Sequence, residues 1–202
     1  MKHLKLIFAC LLMTVLSIGQ VWGADVIDAL TYSTIGLGKV SSGNATYANF
    51  TGVSVTSDAV YAGNINKFNN NSNPTNVIQL RSSNNNSGIV TTTSGGKAKS
   101  VSVVWHSSTA NDRTLNVYGK NSTYSQATDL YNNSNQGTLL GTIVCGTSTS
   151  LTISGDYEYI GFRSASGAMY LTSVSITWDD GQGGTPQSTL FLNPSLSQHN
   201  SL

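Results

Sequence analysis

The chain is cut into short β-type runs by clusters of turn-forming residues, and this rhythm limits its fold more than any other feature. Residues 47–50, 59–65, 77–81, 88–92, 98–106, 113–120, 138–144, 150–154, 157–163 and 169–178 carry the Val, Ile, Thr and Tyr that suit a pleated strand. Between them stand breakers: NNNSNP at 69–74, NNNSG at 84–88, SGG at 94–96 and NNSNQG at 132–137. Within the runs, side chains alternate. Val101 and Val103 share one face against Ser100 and Ser102, and Val174, Ile176 and Trp178 alternate with Ser173, Ser175 and Thr177. That is the period of a sheet buried on one side and wet on the other. No segment sustains a 3.6-residue period; only 25–37 and 123–131 offer short helical turns. Strands at this spacing predict an antiparallel sandwich or barrel.

Residues 1–23 read as a secretory leader. Lys2 and Lys5 supply the positive start, an apolar run follows from Leu6 to Ile18, and the small residues Val21 and Gly23 precede Ala24. The run is shorter than the roughly 20 residues needed to span a membrane. Cys10 closes a loosely lipobox-like Leu6-Ile7-Phe8-Ala9-Cys10, but Phe8 is bulky where a small residue is wanted; lipidation is the minor alternative. Cleavage leaves Cys145 as the only cysteine, so the exported domain stands without an internal disulfide. Cys145 lies in an apolar run with no basic neighbour, as expected of a small buried hydrophobe. After Trp178 the run DDGQGGTP at 179–186 reads as a linker, and 179–202 as a tail or the opening of a further module.

Charge excludes several function classes. Only 9% of residues are charged, and the net is +1 for the whole chain. Without Lys2 and Lys5 there are 8 basic and 9 acidic groups, a net of −1. Such a surface has no basic face to neutralise phosphates, so nucleic acid is not expected as a partner. Ser, Thr and Asn replace charge, and this suits neutral hydroxylated ligands or plain extracellular scaffolding.

Three stretches carry a resemblance: VIQLRSSNNNSGIVTTTSGGKAKSVSVV at 77–104, RTLNVYGKNSTYSQATDL at 113–130 with GTLLGTI at 137–143, and YEYIGFRSASGAMYLTSVSITW at 157–178. Over residues 24–178 the chain resembles the secreted β-sandwich modules of Bacteroidetes-type extracellular multidomain proteins. The resemblance implies a jelly-roll of the carbohydrate-binding or galactose-binding-like sort and carries no assigned activity.

Two segments echo each other. Arg81-Ser82 leads through a polar turn to Ser87-Gly88, and Arg163-Ser164 leads to Ser166-Gly167. Arg81 alternates with Leu80 and Arg163 with Phe162, so both point away from the apolar face. A guanidinium offers several directed donors to a hydroxyl-rich ligand; the plainer role is to fasten a loop. Trp105 ends a strand before the polar loop 107–112, where a sugar-stacking platform is plausible; the plainer role is core. Because it follows Val104, a bulge or face switch is expected there. Tyr61, Tyr118, Tyr124, Tyr131 and Tyr170 are further aromatic candidates. Asp112, Asp129, Asp156 and the Asn-rich loops offer oxygens for a structural calcium, though no alternating acidic loop is present.

Catalysis finds little support. Glu158 is the single glutamate, only His106 and His199 remain after the leader, and no G-x-S-x-G, H-E-x-x-H or P-loop occurs. The dyad His106–Asp112 is conceivable at six residues' spacing. The expectation is therefore an exported, monomeric, non-catalytic binding or adhesion module. Its partner would be an extracellular glycan or a surface protein, read by Arg81, Trp105 and Arg163, without a cofactor. A structural spacer within a larger surface protein is the alternative, and a small secreted hydrolase the remotest.

Overall fold

A computed structural model describes residues 23–71 and 74–183. Residues 1–22 of the leader with Cys10, and residues 184–202 of the tail with His199, lie outside the described residues.

Two antiparallel sheets face each other. Strands β1 (Gly23–Leu30), β2 (Thr46–Val53), β3 (Val60–Lys67), β4 (Ile78–Arg81), β5 (Gly88–Thr93) and β6 (Lys97–Trp105) are followed by β7 (Thr114–Lys120), β8 (Thr138–Val144), β9 (Ser150–Thr152), β10 (Tyr159–Ser164) and β11 (Ala168–Gly183). One sheet runs β1-β11-β6-β9, with β4 also paired to β11; the other runs β2-β3-β5-β10-β7-β8. The result is an all-β sandwich, not a barrel. Every strand expected from the turn rhythm is present, with ends shifted by a few residues.

The core lies between the sheets. Leu30, Ile78, Leu80, Val101, Val174, Ile176 and Trp178 from the first sheet meet Tyr61, Ile65, Ile89, Leu115, Val117, Ile160 and Phe162 from the second. Burying one such side chain is worth about 1.5–3 kcal/mol, and no disulfide shares the task among the described residues. Cys145 is buried and unpaired, as its apolar run implies. The wet side of β6, β9 and β11 is largely Ser and Thr: Ser102 and Ser150 are exposed, and Ser175 and Thr177 are partly so.

Two segments differ from the sequence reading. Residues 25–30, expected within a helical turn, form β1, and the helix α1 is confined to Tyr32–Ile35, capped by Thr31 and closed by Gly36. The strand is hard to read because Asp28 occupies an inward position and is fully buried, while Ile27 on the opposite face is exposed. Asp28 accepts from the backbone of Thr56 at 3.0 Å and Ser57 at 2.7 Å. Its other donors are the Ser57 hydroxyl at 2.6 Å, the Tyr61 hydroxyl at 2.6 Å and Trp178 Nε1 at 3.0 Å. Burial pushes the Asp28 carboxyl up, but these hydrogen bonds outweigh it and hold the group below its ordinary range. The network pins β1 and β11 of one sheet to β3 of the other. The last strand also runs on past Trp178, where the linker was expected. Asp25 pairs with Asp179 and Gly23 with Gly183, so β1 supplies a ladder that composition alone does not reveal. Lys99 lies 2.6 Å from Asp25 and 3.8 Å from Asp179, bridging the two acids.

Candidate functional site

The two arginine turns fold against each other. Ser82 N–H donates to the Gly167 carbonyl at 3.0 Å, and Gly167 N–H donates to the Ser82 hydroxyl at 2.7 Å. The Ser164 hydroxyl reaches the same Gly167 carbonyl at 2.8 Å. The sequence echo is thus a physical pairing of two turns, one from each sheet.

On β10, Ile160 and Phe162 enter the core, so Arg163 stands on the outer side of the six-stranded sheet. Its ladder partner is Asn116 on β7. Nε and Nη2 of Arg163 donate to the Tyr118 hydroxyl oxygen at 3.3 and 3.1 Å, and its guanidinium carbon sits 4.6 Å from the ring centre of Tyr131. Tyr131 ends the 3-10 turn Ala127–Tyr131 that crosses this outer face. The turn seats itself through Leu130, which is fully buried above Ala62, Val90 and Tyr118 in a second small core. Glycine makes the seat possible: a Cβ on Gly161 would fall 2.5 Å from Leu130 Cδ2, and one on Gly88 2.9 Å from Leu130 Cδ1. With Leu130 docked, the Tyr131 hydroxyl donates to the Ser87 carbonyl at 2.7 Å.

Arg81 joins the same face from the other sheet. Ile78 and Leu80 are in the core, while Arg81 lies over the ring of Tyr47 on β2, 5.1 Å from its centre. Its backbone N–H donates to the Ser87 hydroxyl at 3.1 Å. Ser87-Gly88 therefore stands between the two arginines. A Cβ on Gly88 would lie 3.7 Å from Arg163 Cβ. Such guanidinium–ring contacts are worth about 0.5–2 kcal/mol each.

Polar atoms extend the strip over β3. Asn64 donates to Asn49 Oδ1 at 2.7 Å, and Asn66 donates to Gln79 Oε1. Asn64 and Asn66 are only 3% and 5% exposed, and the Oδ1 of each has no hydrogen-bond partner among the described residues. Beside them a groove of about 230 Å³ opens between β2, β3 and the 3-10 turn, lined among others by Asn49, Ala62, Asn86 and Gln126. Burial pushes the Tyr47 phenol up to about 12 against the opposing charge of Arg81, and it raises Tyr131 against Arg163. Both rings stay neutral across the physiological range.

Arg81 and Arg163 are brought onto one face; Trp105 is not brought to them. It pairs with Leu171, packs partly buried against the main core, and spends Nε1 on the Ser148 carbonyl at 2.9 Å. The expected irregularity lies on the partner strand, between Leu171 and Ser173. Trp105 therefore keeps the inward face of Val101 and Val103, while Val104 points out, 55% exposed. Tyr61 and Tyr124 are also interior. The residues that replace Trp105 at the strip are Tyr47, Tyr118 and Tyr131. Tyr118 and Tyr131 are visible in sequence only as available aromatics, and Tyr47 only as the start of a strand.

Other surfaces offer less. A groove of about 640 Å³ beside α1 has Tyr32, Lys39 and Asn76 in its wall, but the Tyr32 hydroxyl is committed to the Gly38 carbonyl. Glu158 and Asp179 line an open groove of about 380 Å³, where Asp179 is held by Lys99 and by the N–H of Gly181. Nδ1 of His106 accepts from the backbone of Ser108, with no contact to Asp112 among the described residues. Among the described residues no three His, Cys, Asp or Glu side chains gather as a metal site. Asp129 caps the 3-10 turn and Asp156 pairs with Lys97. Set against protein-family models, curated proteins and solved structures, the chain matches none of them.

Proposed function

We propose that the chain is an exported, non-catalytic binding module that presents the outer face of its six-stranded sheet to an extracellular glycan. The observation that carries this reading is the strip itself. Two arginines from different sheets lie on tyrosine rings beside buried asparagines, without a carboxylate in reach among the described residues. Sugars need a flat apolar surface for the ring and directed polar groups for the hydroxyls. Tyr47 and Tyr131 supply the first; the guanidinium edges, Asn49 and Asn116 supply the second. The likeness to secreted bacterial surface modules and the leader at 1–23 support the same setting, cell surface or secreted.

The test is a glycan array probed with the exported chain. A shallow strip offers few atoms, so affinities of about micromolar to millimolar are expected. Tyr131→Ala should weaken a hit about tenfold while Trp105→Leu leaves it unchanged. A folded protein that binds no glycan on the array returns the domain to the spacer reading.

A further inference from the structure

We infer that the glycan recognised here is acidic, with a carboxylate or sulfate group taken between Arg81 and Arg163 and its sugar ring laid on Tyr47 or Tyr131. The inference rests on the binding role proposed above and names the ligand class. It starts from how the scarce charges are spent. Among the described residues the ion pairs belong to lysines: Lys97 with Asp156, and Lys99 with Asp25 and Asp179. Arg81 and Arg163 instead meet tyrosine rings and phenol oxygens, with no ion pair among the described residues. Both are partly withdrawn from water and stand on either side of Ser87-Gly88. Among the described residues no carboxylate pairs with either charge. The phenols stay protonated, because burial outweighs the pull of either arginine.

An oxyanion completes this arrangement where a hydroxyl does not. A ring under the guanidinium of Arg81 holds its plane and leaves N–H edges to meet two oxygens side by side, while Arg163 gives its Nε–Nη2 edge to Tyr118 and has the outer Nη1–Nη2 edge for a ligand. A neutral sugar would accept hydrogen bonds but leave both charges unopposed. The whole-chain charge gives no long-range attraction, so recognition is local and falls with salt.

The decisive measurement compares polymers that differ in charge alone. The exported chain is titrated with polygalacturonate and its methyl ester, with dextran sulfate and dextran, and with duplex DNA, at low and high salt. Polygalacturonate or dextran sulfate should bind about tenfold or more tighter than its neutral counterpart, and high salt should weaken it. Whichever of the two binds assigns carboxylate or sulfate. Arg81→Gln and Arg163→Gln should each cost about tenfold, and Arg81→Lys should recover only part, since an ammonium lacks the fork. Arg81 lies at a strand end, so its variants keep the test decisive even where Arg163→Gln melts early. Equal binding of acid and ester, or a neutral hit on the array with no binding to either acidic polymer, overturns this inference and leaves the glycan role standing. No binding to any sugar overturns both. DNA bound as tightly, with the same arginine dependence, replaces the glycan by a general polyanion.

Discussion

Asp28 and the arginine pair are opposite solutions to taking charge out of water. Asp28 is fully buried and has a donor for every lone pair it can use: two backbone N–H groups, two hydroxyls and an indole N–H. Arg81 and Arg163 are half-buried, backed by tyrosine rings, and lack an anion among the described residues. A charge whose partners are all internal holds the fold together, because removing it strands several buried donors at once. A charge whose internal partners are incomplete adds little to stability and keeps its donors for something outside. The same chain thus shows a structural charge at one end of the sandwich and a charge pair suited to binding on the outer face.

The largest expected effect breaks the first half of the comparison. Asp28→Ala strands the backbone N–H groups of Thr56 and Ser57 and the hydroxyl of Tyr61, leaves Trp178 Nε1 only its 3.3 Å contact to the Tyr61 oxygen, and should cost about 3–4 kcal/mol in urea unfolding. A loss below about 1 kcal/mol would mean that water replaces the carboxylate there. Next comes Trp105→Ala, which removes a partly buried indole from the main core. It should cost about 2–3 kcal/mol and leave glycan binding intact. The reverse pattern, full stability with lost binding, would return Trp105 to the ligand site.

Acid gives a smaller effect, because burial opposes the hydrogen bonds at Asp28. Its folded pKa lies below the ordinary value of 3.8. The stability it contributes is therefore complete above that value and is lost as pH falls through the folded one. The melting temperature should drop below about pH 4 in the wild type. It should drop less in Asp28→Asn; identical acid limbs would show that other carboxylates govern acid unfolding. The smallest effect sharpens the second half. Arg81→Gln loses one ring contact, about 0.5–1 kcal/mol, against a much larger loss in binding an acidic glycan. A cost like that of Asp28→Ala would make Arg81 a structural charge and dissolve the contrast.

Much of the scaffold was written in the one-dimensional pattern. Alternation in 98–106 and 169–178 marked two strands and their buried faces, because a period of two is a local property of the backbone. The same logic turned Arg81 and Arg163 outward, and the repeated Arg-Ser turn hinted that they belong together. Alternation also favours an inward Trp105, since it shares parity with Val101 and Val103; the expected bulge fell on the opposite strand, which only pairing register reveals. β1 stayed hidden because its inward Asp28 looks polar until donors from residues 56, 57, 61 and 178 converge on it. The end of β11 stayed hidden because Asp179 and Gly183 look like linker until β1 lies alongside to pair with them. Local pattern thus set which side chains leave each strand and on which face. Which distant strand meets them, and so whether a charge finds partners within the chain or waits for them outside it, depends on contacts between residues far apart in sequence, and only the packed sandwich decided that.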